Sequence, residues 1–381
     1  MNSPKLIEKF FPCKQCGASL RYSIKTGSLK CPYCGFENRI EDLDEEIREY
    51  DFNEALNAIE RVKFKELKEH EVKCPSCSAV FRFEENVYAG VCPYCGIFVV
   101  EDITKLRPIT AQSLIAFEVK KDKAFNIFKE WIKSLWFAPS KLKSASFEAN
   151  FNGIFLPYWT YDSYTVSKYR GMRGDIYYED AYVTVYREGR AYQELKRVQK
   201  VRWSSSYGTV KRHFDDVLVG ASKRLSRQII DALRPWPLQK LVPYNERYIT
   251  GFESEVYQVN LDDGFDVAKY YMLQTIREDI RYDIGGDLQK ITAVHTDYYD
   301  KTFKHILLPV WSASFNYGGK IYRFAINGVT GKIKGERPFS KIKIFFTVLF
   351  VLLCLALLFY ISESDIDFDF LIKRLYDLPP L

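Results

Sequence analysis

Ile344 to Ile361 reads IFFTVLFVLLCLALLFYI, an uncharged run whose only polar members are Thr347, Cys354 and Tyr360. At about 1.5 Å of rise per residue its 18 residues span about 27 Å as a helix, close to the hydrocarbon thickness of a bilayer. Core helices of soluble domains are usually shorter or amphipathic. The run therefore predicts a transmembrane helix over 344–361, with everything upstream hung from it.

The flanks suggest an orientation. Lys332, Lys334, Arg337, Lys341 and Lys343 precede the run against one acid, Glu336. The tail 362–381, SESDIDFDFLIKRLYDLPPL, carries five acids against Lys373 and Arg374. Cytoplasmic flanks are enriched in Lys and Arg. The expectation is a single-pass protein of the cell membrane, with residues 1–343 in the cytoplasm and a short extracytoplasmic tail. The N-terminal MNSPKLIEKFFPCKQC lacks the apolar core of a signal peptide, in agreement.

That location governs the reading of the cysteines. Of nine, Cys354 lies in the apolar run and the others form two sets of four. Cys13-x2-Cys16 is followed after 14 residues by Cys31-x2-Cys34, and Cys74-x2-Cys77 after another 14 by Cys92-x2-Cys95. The sets repeat at an offset of 61, and both second pairs read Cys-Pro-Tyr-Cys-Gly, so a module has been duplicated. A CxxC turn brings two sulfurs close enough to share an ion, and two such turns complete a tetrahedral four-thiolate zinc site. Gly17, Gly35 and Gly96 follow three of the turns, where a left-handed backbone is expected, and Ser78 takes that place in the fourth.

Rival readings are weaker. Structural disulfides call for an oxidising compartment. CPYC resembles the glutaredoxin redox motif, but that motif opens a helix in a βαβ unit, and here GFENRI and GIFVVE follow. An iron–sulfur cluster also takes four thiolates, though paired knuckles favour zinc. The expectation is two structural Zn2+ ions, on Cys13, Cys16, Cys31 and Cys34 and on Cys74, Cys77, Cys92 and Cys95. Such closed sites hold a fold together and leave no position open for a catalytic water.

At 381 residues the chain has room for two or more domains, and 61 aromatic residues favour β-rich structure. Charge is distributed unevenly. Residues 1–39 sum to +5, residues 40–72 to −7, and residues 73–100 to zero. The first module offers Lys14, Arg21, Lys25 and Lys30 as a modest basic patch, while the acidic stretch after it disfavours nucleic acid and favours protein contacts.

Ile40–Glu71 lacks Gly and Pro and carries apolar residues at roughly helical spacing, which predicts a helix that is a solvated spacer or part of an α-hairpin, with a partner-binding element as the sharper alternative. Lys121–Trp136 reads as an amphipathic helix with Ala124, Phe125, Phe128, Trp131, Ile132 and Leu135 on one face; packing on the core and lying on a membrane both suit it. Strands are expected over 158–168, 175–187 and 191–204, broken at Gly171, Gly174 and Gly189, and again over 288–298 and 305–317. Helices are expected over 222–233 and 266–283, and a hairpin over 320–333 turning at Asn327-Gly328. Phe155-Leu156-Pro157-Tyr158-Trp159 is echoed by Leu307-Leu308-Pro309-Val310-Trp311, which points to pseudo-equivalent strands of one mixed sheet.

The fold class is multidomain α+β: zinc ribbon 1 (1–39), an acidic helical connector (40–72), zinc ribbon 2 (73–100), a β-rich α+β domain (101–343), the transmembrane helix (344–361) and the tail (362–381). With LPYWTYDSYTVSKYRGMRGDIYY (156–178), FDDVLVGAS (214–222), KHILLPVW (304–311) and YRFAINGVTGKIKGERPFSKIKI (322–344), the chain resembles bacterial transcription factor IIB-type zinc-ribbon proteins that carry a C-terminal membrane helix. Members are often likened to the primosomal helicase on their cysteines alone. Related proteins resemble companions of SPFH-domain scaffolds and phage-shock membrane-stress systems. The resemblance implies a scaffolding role with membrane-protein or scaffold partners, and it brings no catalytic residues.

Nothing in the chain supports the helicase comparison or another enzyme. There is no GxxxxGK[ST] phosphate loop, since Gly328–Gly335 has the wrong spacing, and neither GxSxG nor HExxH occurs. His213 beside Asp215 and Asp216, in KRHFDD, can be drawn as an acid/base pair, but a strand-end loop is the commoner setting. No catalytic residue and no small-molecule substrate are expected. The leading expectation is a membrane-anchored adaptor that recruits protein partners at the cytoplasmic membrane face; the alternative is a membrane-tethered nucleic-acid-binding protein acting through its first ribbon.

Overall fold

The computed structural model describes residues 11–40, 46–60, 70–84, 86–101, 109–144, 151–187 and 190–363. The tail from 364 onward and residues 41–45 and 61–69 of the expected connector lie outside them. The fold is mixed α+β around one large sheet.

The first cysteine module is a small antiparallel sheet of β1 (Arg21–Ser23), β2 (Ser28–Lys30) and β3 (Glu37–Asn38). Next come β4 (Tyr50–Asp51) and α1 (Phe52–Glu60). Of the helix expected over 40–71, the described residues 46–51 are not helical and 52–60 are, and this part is not a solvated spacer. Phe52 is buried, its ring 4.8 Å from that of Phe265 and 6.2 Å from that of Tyr161. Burial of that aromatic face holds the acidic stretch against the body of the protein.

The second module contributes a hairpin of β5 (His70–Lys73) and β6 (Val80–Phe83), then a second of β7 (Val87–Val91) and β8 (Phe98–Val100). The second hairpin belongs to the large sheet, so that sheet crosses the boundary expected at residue 100. After β9 (Ser113–Leu114), α2 (Lys121–Ser134) buries Ala124, Phe128 and Ile132. Phe128 stacks on Phe324 with centroids 4.3 Å apart, so the amphipathic face serves core packing. The short α3 (Ser140–Ser144) follows.

Two strands of unusual length then form a hairpin, β10 (Asn152–Arg187, 36 residues) and β11 (Arg190–Gly220, 31 residues). Gly171 and Gly174 lie inside β10 and break nothing. Their lack of a side chain allows close approach: a Cβ on Gly171 would meet the Lys290 carbonyl at 2.7 Å, and one on Gly174 the Trp203 ring at 2.9 Å. A return through α4 (Arg227–Ala232), β12 (Val242–Pro243), α5 (Glu246–Ile249) and β13 (Glu253–Glu255) leads to α6 (Leu261–Ile284). The two strands expected over 288–317 are one, β14 (Leu288–Tyr317), with Asp300 at φ 47° where a break was expected. The hairpin β15 (Lys320–Asn327) and β16 (Ile333–Gly335) turns at Asn327, whose side chain accepts from the Val329 and Thr330 amides.

The echoed motifs face each other. In the antiparallel pairing of β10 with β14, Pro157 stands opposite Leu307 and Phe155 opposite Pro309. Each strand also takes a parallel neighbour, β13 beside β10 and β9 beside β14. Both tryptophans donate to a carbonyl, Trp159 to Val259 at 2.9 Å and Trp311 to Val119 at 2.8 Å. This local two-fold makes the centre of the mixed sheet. Alternation then sorts the core: Leu156, Tyr158, Ile306 and Leu308 pack on one side with Ile229 and Trp236, and Phe155, Trp159, Tyr161 and Leu307 face the other.

The chain ends, among the described residues, in α7 (Lys341–Glu363). Its segment Lys341–Tyr360 is the one described helix long and apolar enough to cross a membrane, and none of it is buried against the rest of the protein. Its first turn is fixed to the body, where the Lys343 ammonium donates to the Ala138 carbonyl at 2.8 Å and the Ser340 amide to that of Phe137 at 2.8 Å.

Candidate metal centres

Each CxxC pair sits in the same turn. In all four, the amide after the second cysteine donates to the carbonyl of the first: Gly17 to Cys13, Gly35 to Cys31, Ser78 to Cys74 and Gly96 to Cys92, at 2.9–3.1 Å. Closing the turn requires a left-handed residue at that position, and Gly17, Gly35, Gly96 and Ser78 have φ of 75°, 76°, 73° and 60°. The first cysteine's amide donates back across the turn, for example Cys92 to the Ile97 carbonyl at 2.8 Å.

The turns come together in two groups. Cys13, Cys16, Cys31 and Cys34 have their sulfurs within 4.8 Å of one another, as do Cys74, Cys77, Cys92 and Cys95. The closest pairs are 3.6 Å (Cys13–Cys34), 3.5 Å (Cys16–Cys31), 3.5 Å (Cys74–Cys95) and 3.9 Å (Cys77–Cys92). A disulfide requires about 2.05 Å, and all eight thiols are free. An ion bound tetrahedrally at about 2.3 Å from each sulfur would set its ligands about 3.8 Å apart, so both groups fit a metal.

Clustering splits the thiols, with Cys31 and Cys74 held down and Cys16, Cys34, Cys92 and Cys95 raised. The Cys34 amide beside Cys31 holds its thiol down to about 6, against the opposing effect of burial. Burial pushes Cys74 up, but the Cys77 and Ser76 amides outweigh it and bring the thiol to about 7. At Cys34 the Phe36 amide lowers the thiol, while burial and the hydrogen bonds to Cys16 and Cys31 prevail and raise it to about 12. Without a cation, four thiolates in one cluster repel one another, and a bound metal removes that repulsion.

The modules are docked, not strung out. The Tyr22 amide donates to the Thr250 carbonyl at 3.0 Å, and the Tyr22 and Tyr248 rings are 5.6 Å apart. Arg21 donates to the Gly96 carbonyl at 3.3 Å, across to the second module. Of the four cations expected to make a basic patch, Arg21 is thus engaged internally and Lys30 pairs with Glu37 at 3.0 Å, while Lys14 and Lys25 stand exposed. Tyr33 and Tyr94, the tyrosines of the two CPYC turns, are 80% and 69% exposed.

The sequence is similar to that of the uncharacterized protein YdjG of Bacillus subtilis (strain 168), 25% identical over 337 residues that span 88% of this chain and 91% of that protein. No family model and no solved structure matches.

KRHFDD lies within β11 and not in a loop. Asp216, at φ 52°, donates its amide to Asp162 at 2.5 Å, and its carboxylate pairs with the Lys304 ammonium at 2.8 Å. Glu49, from the acidic stretch, also reaches Lys304, at 2.9 Å. Burial alone would lower the Lys304 ammonium, and the Asp216 and Glu49 carboxylates more than reverse it. His213 takes no part in this network. Sequence reasoning found Asp216 and missed its partners, because Asp162 and Lys304, with Glu49 behind them, lie on three other segments with no motif to join them.

Proposed function

We propose that the chain is a membrane-anchored zinc-ribbon scaffold that recruits protein partners at the cytoplasmic face of the membrane. In this reading Cys13, Cys16, Cys31 and Cys34 hold one structural zinc, and Cys74, Cys77, Cys92 and Cys95 hold the other. Soft thiolates select a thiophilic ion, and paired turns at this spacing favour zinc among them. Helix α7 is the anchor: an apolar surface with no cover is costly in water and stable in lipid. The basic lead-in supports a cytoplasmic body, since cytoplasmic flanks are enriched in Lys and Arg. Binding is the activity proposed, since closed four-thiolate sites offer no position to a substrate.

The observation that carries the reading is the docking of both cysteine modules on a body that runs straight into α7. Partners caught by the ribbons are therefore held close to the bilayer. Tyr33 and Tyr94 are the contacts proposed for them, because exposed tyrosines on rigid turns bury much area at little entropic cost. The resemblance to IIB-type zinc-ribbon proteins with membrane helices points to scaffolds of membrane-stress assemblies as partners.

Crosslinking in native membranes followed by mass spectrometry tests this. A reproducible set of partner proteins is expected with the full chain, reduced severalfold by Tyr33→Ala with Tyr94→Ala. Failure to recover any reproducible partner would sink the proposal.

A further inference from the structure

Beyond its expected anchor and ribbons, the protein presents one large exposed surface that neither uses. Over residues 164–174, β10 lies between β11 and β14. Helix α6 covers one face of this three-stranded sheet: Tyr169 donates to Asp283 at 2.6 Å, and Arg212 to Asp279 at 2.6 Å. The other face is open. Register places Lys168 beside Thr209 and His295, Arg170 beside Tyr207, Met172 beside Ser205 and Lys290, and Val166 beside Lys211. The one acid on this stretch is Asp297, whose carboxylate lies 3.4 Å from His295. Among the described residues, no carboxylate pairs with Lys168, Arg170, Lys211 or Lys290.

Two features give the face a chemistry. It has a shallow, open trough of about 680 Å³ whose lining includes Lys168, Arg170, Met172, Ser205, Tyr207 and Thr209. It is also aromatic: Tyr207 is 83% exposed, and the Trp203 ring lies across Gly174, where a Cβ would come within 2.9 Å of it. Cations about 6.6 Å apart along a strand, interleaved with flat rings, match a linear polyanion that itself carries flat rings. We propose that this face binds single-stranded nucleic acid, with phosphates on Lys168, Arg170, Lys211 and Lys290 and bases stacked on Tyr207 and Trp203. An acidic peptide would use the cations and leave the rings idle. A bilayer is flat where this face carries a trough.

The test uses the full chain in nanodiscs of neutral lipid and a fluorescent oligothymidylate of about 16 nucleotides, followed by anisotropy at low salt. Binding is expected, weakening as salt rises. Lys168→Ala with Arg170→Ala should weaken it at least about tenfold and flatten the log–log salt slope by about 1.4. Tyr207→Ala should weaken it about fivefold or more with the slope kept. Absence of binding overturns the proposal. Equal competition by polyglutamate, or equal affinity for duplex DNA, also overturns it, since either leaves the rings without a role. Binding removed by Lys14→Ala with Lys25→Ala and spared by the face variants would move it to the first ribbon. Binding of these residues to anionic vesicles in place of the oligonucleotide would make the face a lipid contact.

Discussion

Ser78 stands at φ 60° where its three counterparts are glycines at 73–76°. A side chain in that region costs about 1–2 kcal/mol, partly offset by the entropy a glycine loses on folding. Ser78→Gly should therefore raise stability by about 0.5–1 kcal/mol with metal content unchanged, and Gly35→Val should lower it by about 1–2 kcal/mol, both read from thermal unfolding. The glycines were legible from their place after each CxxC pair. His305 was not, because burial has no local signature in sequence. It is 2% exposed and lies 4.7 Å from the Trp159 ring, its nitrogens near the Ile109 and Thr110 backbone without a well-formed hydrogen bond. Burial depresses its pKa from 6.5 to about 4. Between those values the unfolded chain takes up a proton that the folded chain refuses. Stability should thus fall by about 3 kcal/mol as pH drops through that window. Asp162, raised by burial, works in the opposite sense. His305→Leu isolates the histidine: its unfolding midpoint should lose that part of the acid sensitivity, and an unchanged pH profile would refute the assignment.

At the scale of elements, the helices were the most legible and the long strands the least. The apolar spacing in Lys121–Trp136 marks α2 closely, and Phe128 is its centre: it stacks on Phe324 and meets Phe151 edge-on at 5.9 Å. Phe128→Ala should cost about 3–5 kcal/mol in denaturant unfolding. In β10, glycines that read as turns are close-approach positions, where the chain runs on because Trp203 and the Lys290 carbonyl fill the space a side chain would take. The split expected between 298 and 305 failed for a related reason. A left-handed Asp300 lets β14 run on through a local irregularity without leaving the sheet. Such irregularities depend on the neighbouring strands and leave no mark in one strand's own pattern. The echo of 155–159 in 307–311 was informative because pseudo-equivalent strands repeat their core residues as well as their polar periodicity.

For the whole molecule, composition located the parts and contacts decided how they combine. The acidic stretch 40–72 looked like a spacer because its charge dominates its pattern, yet Phe52 on one side and Glu49 on the other tie it to the body. The cysteine modules likewise dock, and β7 and β8 continue the large sheet. Removing the metal should then disturb more than the turns: chelation is expected to lower the melting temperature of the entire body, read by near-UV circular dichroism. Orientation can be read separately, with a cysteine placed at Ser362 in a background where Cys354 is serine. It should react with an impermeant maleimide from outside intact cells, and labelling only after lysis would reverse the topology. The most direct test of the account is the metal content of the full chain, extracted from membranes in detergent without oxygen. Two zinc ions per chain are predicted, one for each four-cysteine group, falling to one when Cys13, Cys16, Cys31 and Cys34 are replaced by serine. A chain without metal, or one whose metal survives loss of both groups, would contradict it.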